Sequence, residues 1–273
     1  MKLLKQIAVM AAAAAFCLLT ACGNGIDAGV LIREAKTDTS AMKSCHVSAK
    51  NTLTFTAGGS GHSFESSAVL DYHSAPFAVK SVQSSKNDGV SENTESYTVT
   101  ENGGLSFYCK SSTGWQKTGA ENLNTSPSAQ IDILRLLDET EDQKYVRETE
   151  INSKKVRKIE LKLKSEVLRS TVENIVTASG MSSGSTTIVQ TLLDSAPAIY
   201  GYCYLDESTG KPVRLELDAA EAVNKIFQGI DGSTVKITVS KCLISGDLSQ
   251  IDSAPDVTLP DEAKRASSVQ AKG

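Results

Sequence analysis

The chain has 273 residues and a formal net charge of −4, from 28 lysines and arginines against 32 aspartates and glutamates. This acidic balance argues against binding to nucleic acid or to an anionic membrane surface, because both need a basic face. The hydrophobic content of 40% is ordinary and suffices for one good core, whereas aromatic residues make up only 5%.

The first predicted element is a leader at residues 1–21. Lys2 and Lys5 give it a positive start, and an uninterrupted apolar run from Ile7 to Leu19 follows. The run is shorter than the roughly 20 residues that a membrane-spanning helix needs. Its dimensions and flanks are those of a secretory signal peptide.

The leader ends in Leu19-Thr20-Ala21-Cys22, which closely resembles a bacterial lipobox. The resemblance implies attachment of diacylglycerol to the Cys22 thiol and cleavage just before it. Two acyl chains anchor a protein stably, whereas one does so only marginally. Residues 22–25 would then form a lipidated tether, and loss of two lysines would leave a charge near −6. The alternative is an ordinary signal peptide or an uncleaved helix in which Cys22 is incidental.

Residues 26–42 are predicted to form a helix, after which the spacing of apolar residues changes to two. Residues 46–111 then fit five antiparallel strands in meander order, separated by glycine-rich turns such as Asn87-Asp88-Gly89. This meander leads to Trp115, the only tryptophan.

The second half mixes short helices with strands. A helix is predicted from Ser128, which can cap it, and the acidic run at 138–142 is interpreted as a solvated loop. A strand at 155–164 precedes a helix capped by Ser165, and a Gly/Ser-rich loop leads to another helix ending near Leu193. Further strands are predicted at 199–205, 213–218 and 233–244, and a polar, loose tail at 261–273.

This order predicts an α+β, mostly β fold, in which helices cover one face of a single long, curved antiparallel sheet. Residues 26–260 would form this one domain, since nothing in the sequence indicates a break.

Four features together resemble a known family: the lipobox, "SSTGWQK", the hairpin "YLDESTGKPVRLEL" and the closing "VTLPDEA". In these four features the chain resembles the LolA/LolB lipoprotein carriers and the LppX/LprG lipid-carrying lipoproteins. The resemblance covers nearly all of the predicted mature chain. The resemblance implies a half-barrel sheet with helices on its concave face and a cavity between them that can hold acyl chains. By strand parity the candidate cavity-lining residues are Phe55, Leu70, Val99, Phe107, Leu161 and Leu215. Ordinary core packing is the alternative for each of them.

Four cysteines accompany Cys22 in the predicted mature chain, at Cys45, Cys109, Cys203 and Cys242. An even number in an exported protein permits two disulfides in three connectivities, while buried free thiols are an equally good interpretation. Their spacing contains no Cys-x-x-Cys pair, so no zinc site is predicted. The sequence has no P-loop and no Rossmann glycine pattern, and no cofactor is predicted.

Three short motifs resemble those of penicillin-binding proteins and β-lactamases: an SxxK at Ser40, an SxN at Ser91 and a KTG at Lys117. The spacing of the motifs does not fit that of these enzymes, because only 23 residues separate the second motif from the third. The catalytic serine should also open a buried helix, whereas Ser40 lies near the end of one. The sequence therefore predicts no enzymatic activity.

The three histidines all fall in the first two predicted strands and lack acidic or cysteine partners at ligand spacing. They are interpreted as solvent-facing side chains, and no metal site is predicted. Tyr200, Tyr202 and Tyr204 alternate along one strand, where cross-strand packing is favoured over a role as an exposed partner surface.

The predicted protein is a membrane-anchored, extracytoplasmic lipoprotein that binds or shuttles a lipid or other amphipathic ligand in a cavity between sheet and helices. Apolar burial would drive this binding. The alternative is an envelope sensor or scaffold lipoprotein that binds a protein partner and has no ligand cavity. The expected partners are the cell membrane, through the lipid anchor, and a possible lipid ligand, with no nucleic acid.

Overall fold

Eleven antiparallel strands form one open sheet, which confirms the predicted fold class. The computed structural model describes residues 26–120, 122–180, 185–228 and 236–266. The leader, Cys22 and the tether lie outside the described residues.

The strands follow the order β6-β5-β4-β3-β2-β1-β11-β10-β9-β8-β7 across the sheet. Their bounds are β1 Ser44–Ala57, β2 Ser60–Ser74, β3 Phe77–Asn87, β4 Val90–Glu101, β5 Gly104–Ser111, β6 Gly114–Gly119, β7 Thr140–Ile151, β8 Lys154–Leu163, β9 Ile199–Asp206, β10 Pro212–Asp218 and β11 Ile237–Ser249. We call β2–β6 the first wing and β7–β10 the second wing. The pairing of β1 with β11 joins the two wings, because β1 also pairs with β2 and β11 also pairs with β10.

The helices are mostly short. Their bounds are α1 Ala28–Ser40, α2 Pro127–Gln130, α3 Arg135–Asp138, α4 Arg169–Ala178, α5 Ser185–Asp194, α6 Ala220–Gln228 and α7 Asp261–Lys264, with 3-10 turns at Asp132–Leu134 and Ser165–Leu168. The predicted helix at 26–42 is α1, and it begins where the Asp27 carboxylate accepts hydrogen bonds from the backbone N–H groups of Gly29, at 2.8 Å, and Val30, at 3.1 Å.

The alternation of side chains gives the sheet an inner and an outer face. We call inner the face that carries Phe55, Leu161 and Leu215, all of them buried. The main core lies between this inner face and the helices. Helix α4 contributes Val172 and Ile175, both fully buried, because they repeat at helical spacing along one side.

Gly246 sets how closely the helical segment approaches the sheet. It lies on the inner face of β11, and a Cβ added there would lie only 2.8 Å from Cγ1 of Ile133. Because the 3-10 turn at Asp132–Leu134 rests directly on this glycine, the residues around the turn become a roof over the neighbouring strands β1 and β2.

A second, smaller cluster covers the outer face of the first wing. Tyr97, Tyr108 and Ala263 are buried there, with Val99 and Trp115 packed against them. The covering segment belongs to the predicted tail, which begins as the helical turn α7 rather than as a loose chain. Residues 267–273 lie outside the described residues.

Two capping predictions are wrong. Ser128 lies inside α2, whose N-cap is Ser126, because Pro127 occupies the first helical position that proline favours. Ser165 opens a 3-10 turn and makes no side-chain capping hydrogen bond.

The interpretation of the acidic run as a loop is also wrong, because from Thr140 onward it belongs to β7. This strand lies at the edge of the sheet, where exposed charged side chains are common. The strand β6, which contains Trp115, and the helix α6 were not predicted as separate elements.

Candidate functional site

A cavity of about 360 Å³ opens between the inner face of the sheet and the helices. Strands β1, β2, β3 and β11 form its floor. The 3-10 turn at Asp132–Leu134, α3 and α4 form its roof. It lies where the first wing begins, next to the packed core of the second wing.

Apolar side chains supply one part of the cavity wall. Leu53 and Phe64 face each other across β1 and β2 on the floor. Ile133, Leu136 and Val167 contribute from the helical side. Phe64 stacks parallel to the buried ring of Phe55, with ring centroids 6.0 Å apart, so the floor is fixed by core packing.

Uncharged polar side chains supply a second part of the wall. On the floor, Ser66 pairs with Asn51 and Ser85 across neighbouring strands, so the three residues lie in one row. The helical side adds hydroxyl and carboxamide groups from Ser170 and Asn174, one turn apart on α4. A bound molecule would therefore meet hydrogen-bonding groups on two sides.

Charged residues complete the lining. Glu92 reaches it from β4, and Asp132 and Arg135 form an exposed ion pair with 3.4 Å between Oδ1 and Nη1. Exposed pairs of this kind contribute little to stability. Both charges remain accessible to a polar group of a ligand.

The helix that supplies the roof is held in place by Arg169. Its Nη2 donates to the Glu166 carboxylate at 2.9 Å and to Oε1 of Gln190 on α5 at 2.7 Å. The guanidinium group of Arg169 holds the pKa of Glu166 below its usual value. This contact links the start of α4 to α5.

The six predicted lining residues do not come together at this cavity. Phe55, Leu161 and Leu215 are fully buried members of the core. Leu70 and Phe107 line a separate depression on the inner face of the first wing. Val99 lies on the outer face, since it pairs with Ala78 and Ser106, and it packs in the cluster under α7.

The histidines and the three short motifs form no common site. His46 contacts Asp71 at 2.6 Å and His62 contacts Asp88 at 3.0 Å. No cluster of three metal-ligating side chains occurs among the described residues. Ser40 closes α1 and donates its hydroxyl proton to the Lys36 carbonyl, so it does not open a helix as a catalytic serine would.

All four cysteines are free in the structure. Cys242 faces Leu53 on β1, eight residues and about 26 Å along the strand from Cys45. Cys203 lies two strands away from Cys242 and four residues along, while Cys109 belongs to the other wing. A disulfide needs Cα atoms within about 7 Å, so this register allows none of the three connectivities.

Thiol titration of a protein that consists of residues 22–273 and carries Cys22→Ser is expected to find four thiols after unfolding without reductant. In the folded protein only Cys109 is expected to react quickly, because it alone is partly exposed. Burial raises the pKa of Cys45 to about 12 and that of Cys242 to about 11, and it also raises the pKa of Cys203. Since the thiolate is the reactive form, these three should react more slowly by roughly tenfold or more.

The control for this titration is Cys109→Ser, which should remove the fast phase and leave the slow one. Fewer than four thiols in the unfolded protein would contradict the free state of the cysteines.

No helix among the described residues has both the length and the apolar character required to cross a membrane.

The structure is similar to several solved bacterial structures, whereas no protein-family model and no curated protein matches the chain. It is similar to the lipoprotein LppX of Mycobacterium tuberculosis, with a TM-score of 0.43 and 13% identity over 84% of this chain and 97% of that one. For LprF of Mycobacterium bovis the TM-score is 0.47 and the identity 14%, over 86% and 97% of the two chains. For a LolA superfamily protein of Nitrosomonas europaea the TM-score is 0.24 and the identity 11%, over 87% of this chain and 96% of that one. LppX and the LolA superfamily belong to the groups that the sequence was predicted to resemble.

Proposed function

We propose that the protein is a membrane-anchored, extracytoplasmic lipoprotein that binds an amphipathic ligand in the cavity between sheet and helices, without catalysis. The observation that carries the proposal is the cavity itself, with its apolar, uncharged polar and charged lining. Its volume of about 360 Å³ falls within the range of roughly 300–1,000 Å³ that small-molecule sites occupy.

The lining favours a molecule with both an apolar and a polar part. The side chains of Leu53, Phe64 and Leu136 can take up a short alkyl segment, with a gain of about 25 cal/mol per Å² of apolar surface buried. The charges of Asp132 and Arg135 are best met by polar groups, because covering a charge without a partner is costly. The volume lies near the lower end of the range, which suits one small amphiphile.

The proposed anchor would hold the domain close to a membrane. Cys22 precedes Ile26 by four residues, which can span at most about 14 Å when extended. A diacylglyceryl group on Cys22 would therefore hold the domain near the bilayer from which an amphiphile could be taken.

Native mass spectrometry of the mature Cys22→Ser protein tests this proposal. The variant is expected to be released from membranes, and it would be purified without detergent. We expect an extra mass that is lost on denaturation and is identified as an amphiphile. A clean mass that stays unchanged after incubation with an envelope lipid extract would contradict the proposal and favour the scaffold alternative.

A matched pair of variants links the extra mass to the cavity. Ser66→Phe places an aromatic ring into the cavity and should abolish the extra mass. Ser67→Phe places the same ring on the outer face of β2, where Ser67 pairs with Lys50 and Ser84, and should leave it unchanged. Circular dichroism checks that both variants fold.

A further inference from the structure

A second depression lies on the inner face of the first wing, apart from the cavity under α4. Its volume is about 430 Å³, and it is formed by β2 to β6 together with the chain that follows β6. The main core reaches the near side of this depression at Val79 and Leu70, and α2 contacts β2.

Two large apolar side chains are exposed at this depression. Phe107 of β5 is 38% exposed, and Leu123 is 39% exposed. Leu70, half-buried, and Val79, buried, line the same depression. Single exposed apolar residues are normal on protein surfaces. Four apolar side chains that line one depression form a concave apolar patch, which is the usual form of a small-ligand site.

The remaining wall is polar but uncharged. Its side chains are hydroxyl groups and one carboxamide, from Ser81, Ser96, Thr98, Thr118 and Gln130. Charged side chains are absent among the described residues of this wall, and Glu121 lies outside them. The cavity under α4 differs in this respect, since Glu92, Asp132 and Arg135 line it.

The two spaces are separated along the same strands. Leu70 lies four residues from Ser66 on β2, a distance of about 13 Å. Ala68 and its partner Gln83 lie between them on the inner face. A small molecule can therefore occupy one space without entering the other.

We propose that this depression is a second binding site, for an uncharged apolar molecule such as a small aromatic compound. Phe107 and Leu123 would contact such a molecule and lose part of their exposure to water. A charged molecule would find no ion-pair partner among the described residues of the wall, so its desolvation would be unfavourable. The site goes beyond the proposed function, because it does not depend on the amphiphile or on the anchor.

The uncharged fluorescent probe N-phenyl-1-naphthylamine tests the site on the mature Cys22→Ser protein. Binding is expected to raise the fluorescence of the probe. Phe107→Ser and Leu123→Ser should each raise its Kd by about tenfold, because each removes apolar surface that the probe would bury. Val69→Ser is the control, since Val69 is equally exposed but lies on the outer face of β2 and should leave the Kd unchanged.

The variant Ser66→Phe separates the two sites. It should leave probe binding intact while it abolishes the extra mass seen by mass spectrometry. Absence of probe binding, an unchanged Kd in both Phe107→Ser and Leu123→Ser, or loss of probe binding in Ser66→Phe would each overturn the second site. None of these results bears on the amphiphile, which is detected by its own mass.

Discussion

Replacement of Leu215 by alanine is expected to lower the free energy of unfolding by about 2–5 kcal/mol. Leu215 is fully buried on the inner face of β10, between Cys203 of β9 and Gly246 of β11. The cost has two parts, the lost transfer energy of the side chain and the space left in a packed core. Urea denaturation followed by circular dichroism measures it.

The control for Leu215→Ala is Val82→Ala, at a residue that is 41% exposed on the outer face of β3. That variant should change stability by less than about 0.5 kcal/mol. Equal stability of the two variants, with loss of ligand only in Leu215→Ala, would contradict the assignment of Leu215 to the core and return it to the cavity.

The variant Gly246→Ala is expected to lower stability by about 1–3 kcal/mol, because the added methyl group overpacks the contact between sheet and roof. Its Cβ would lie 2.8 Å from Cγ1 and 2.9 Å from Cγ2 of Ile133. Ile133 is itself buried and cannot move aside freely. Thermal unfolding measures the loss, and displacement of the roof should also weaken ligand binding in the cavity.

Two comparisons isolate the cause of this loss. Gly104→Ala adds the same methyl group at a strand position with no atom within 4 Å, and should be close to neutral. In an Ile133→Ala background the cost of Gly246→Ala should fall, since the two residues are in contact. An undiminished cost in that background would show that the effect does not come from the contact.

The sequence predicted strands well wherever one face is buried. In β1 and β8 apolar and polar residues alternate, because the inner face packs on helices and the outer face meets solvent. The same rule failed for β7, an edge strand without this alternation, whose side chains are mostly half-buried or exposed.

Val99 shows why the alternation of residues along a strand could not by itself assign a side chain to the inner or the outer face of the sheet. The outer face of β4 is apolar at Tyr97 and Val99 because the chain around Ala263 covers it. An apolar residue on such a strand can face either the helices or this segment. The choice depends on where residues 257–266 lie, about 160 positions further along the chain.

The candidate site was the least predictable part. Ser66 and Ser85 resemble ordinary surface serines in the sequence, and nothing local indicates that α4 lies above them. The roof depends on the contact of Ile133 with Gly246, which are more than 100 residues apart. Leu161 and Leu215 lie in the core, because burial follows from hydrophobicity, whereas a cavity follows from what the core leaves unfilled.

The pairing of β1 with β11 sets the order in which the protein can assemble. His46 faces Ser249 across this seam, so residues about 200 positions apart must meet before the sheet becomes continuous. Each wing is built from neighbouring strands and can form early, whereas contacts of such long range form slowly. Until β11 arrives, β1 presents a bare edge of 14 residues to other chains. A newly made chain is therefore most prone to aggregate before β11 is available to pair with β1.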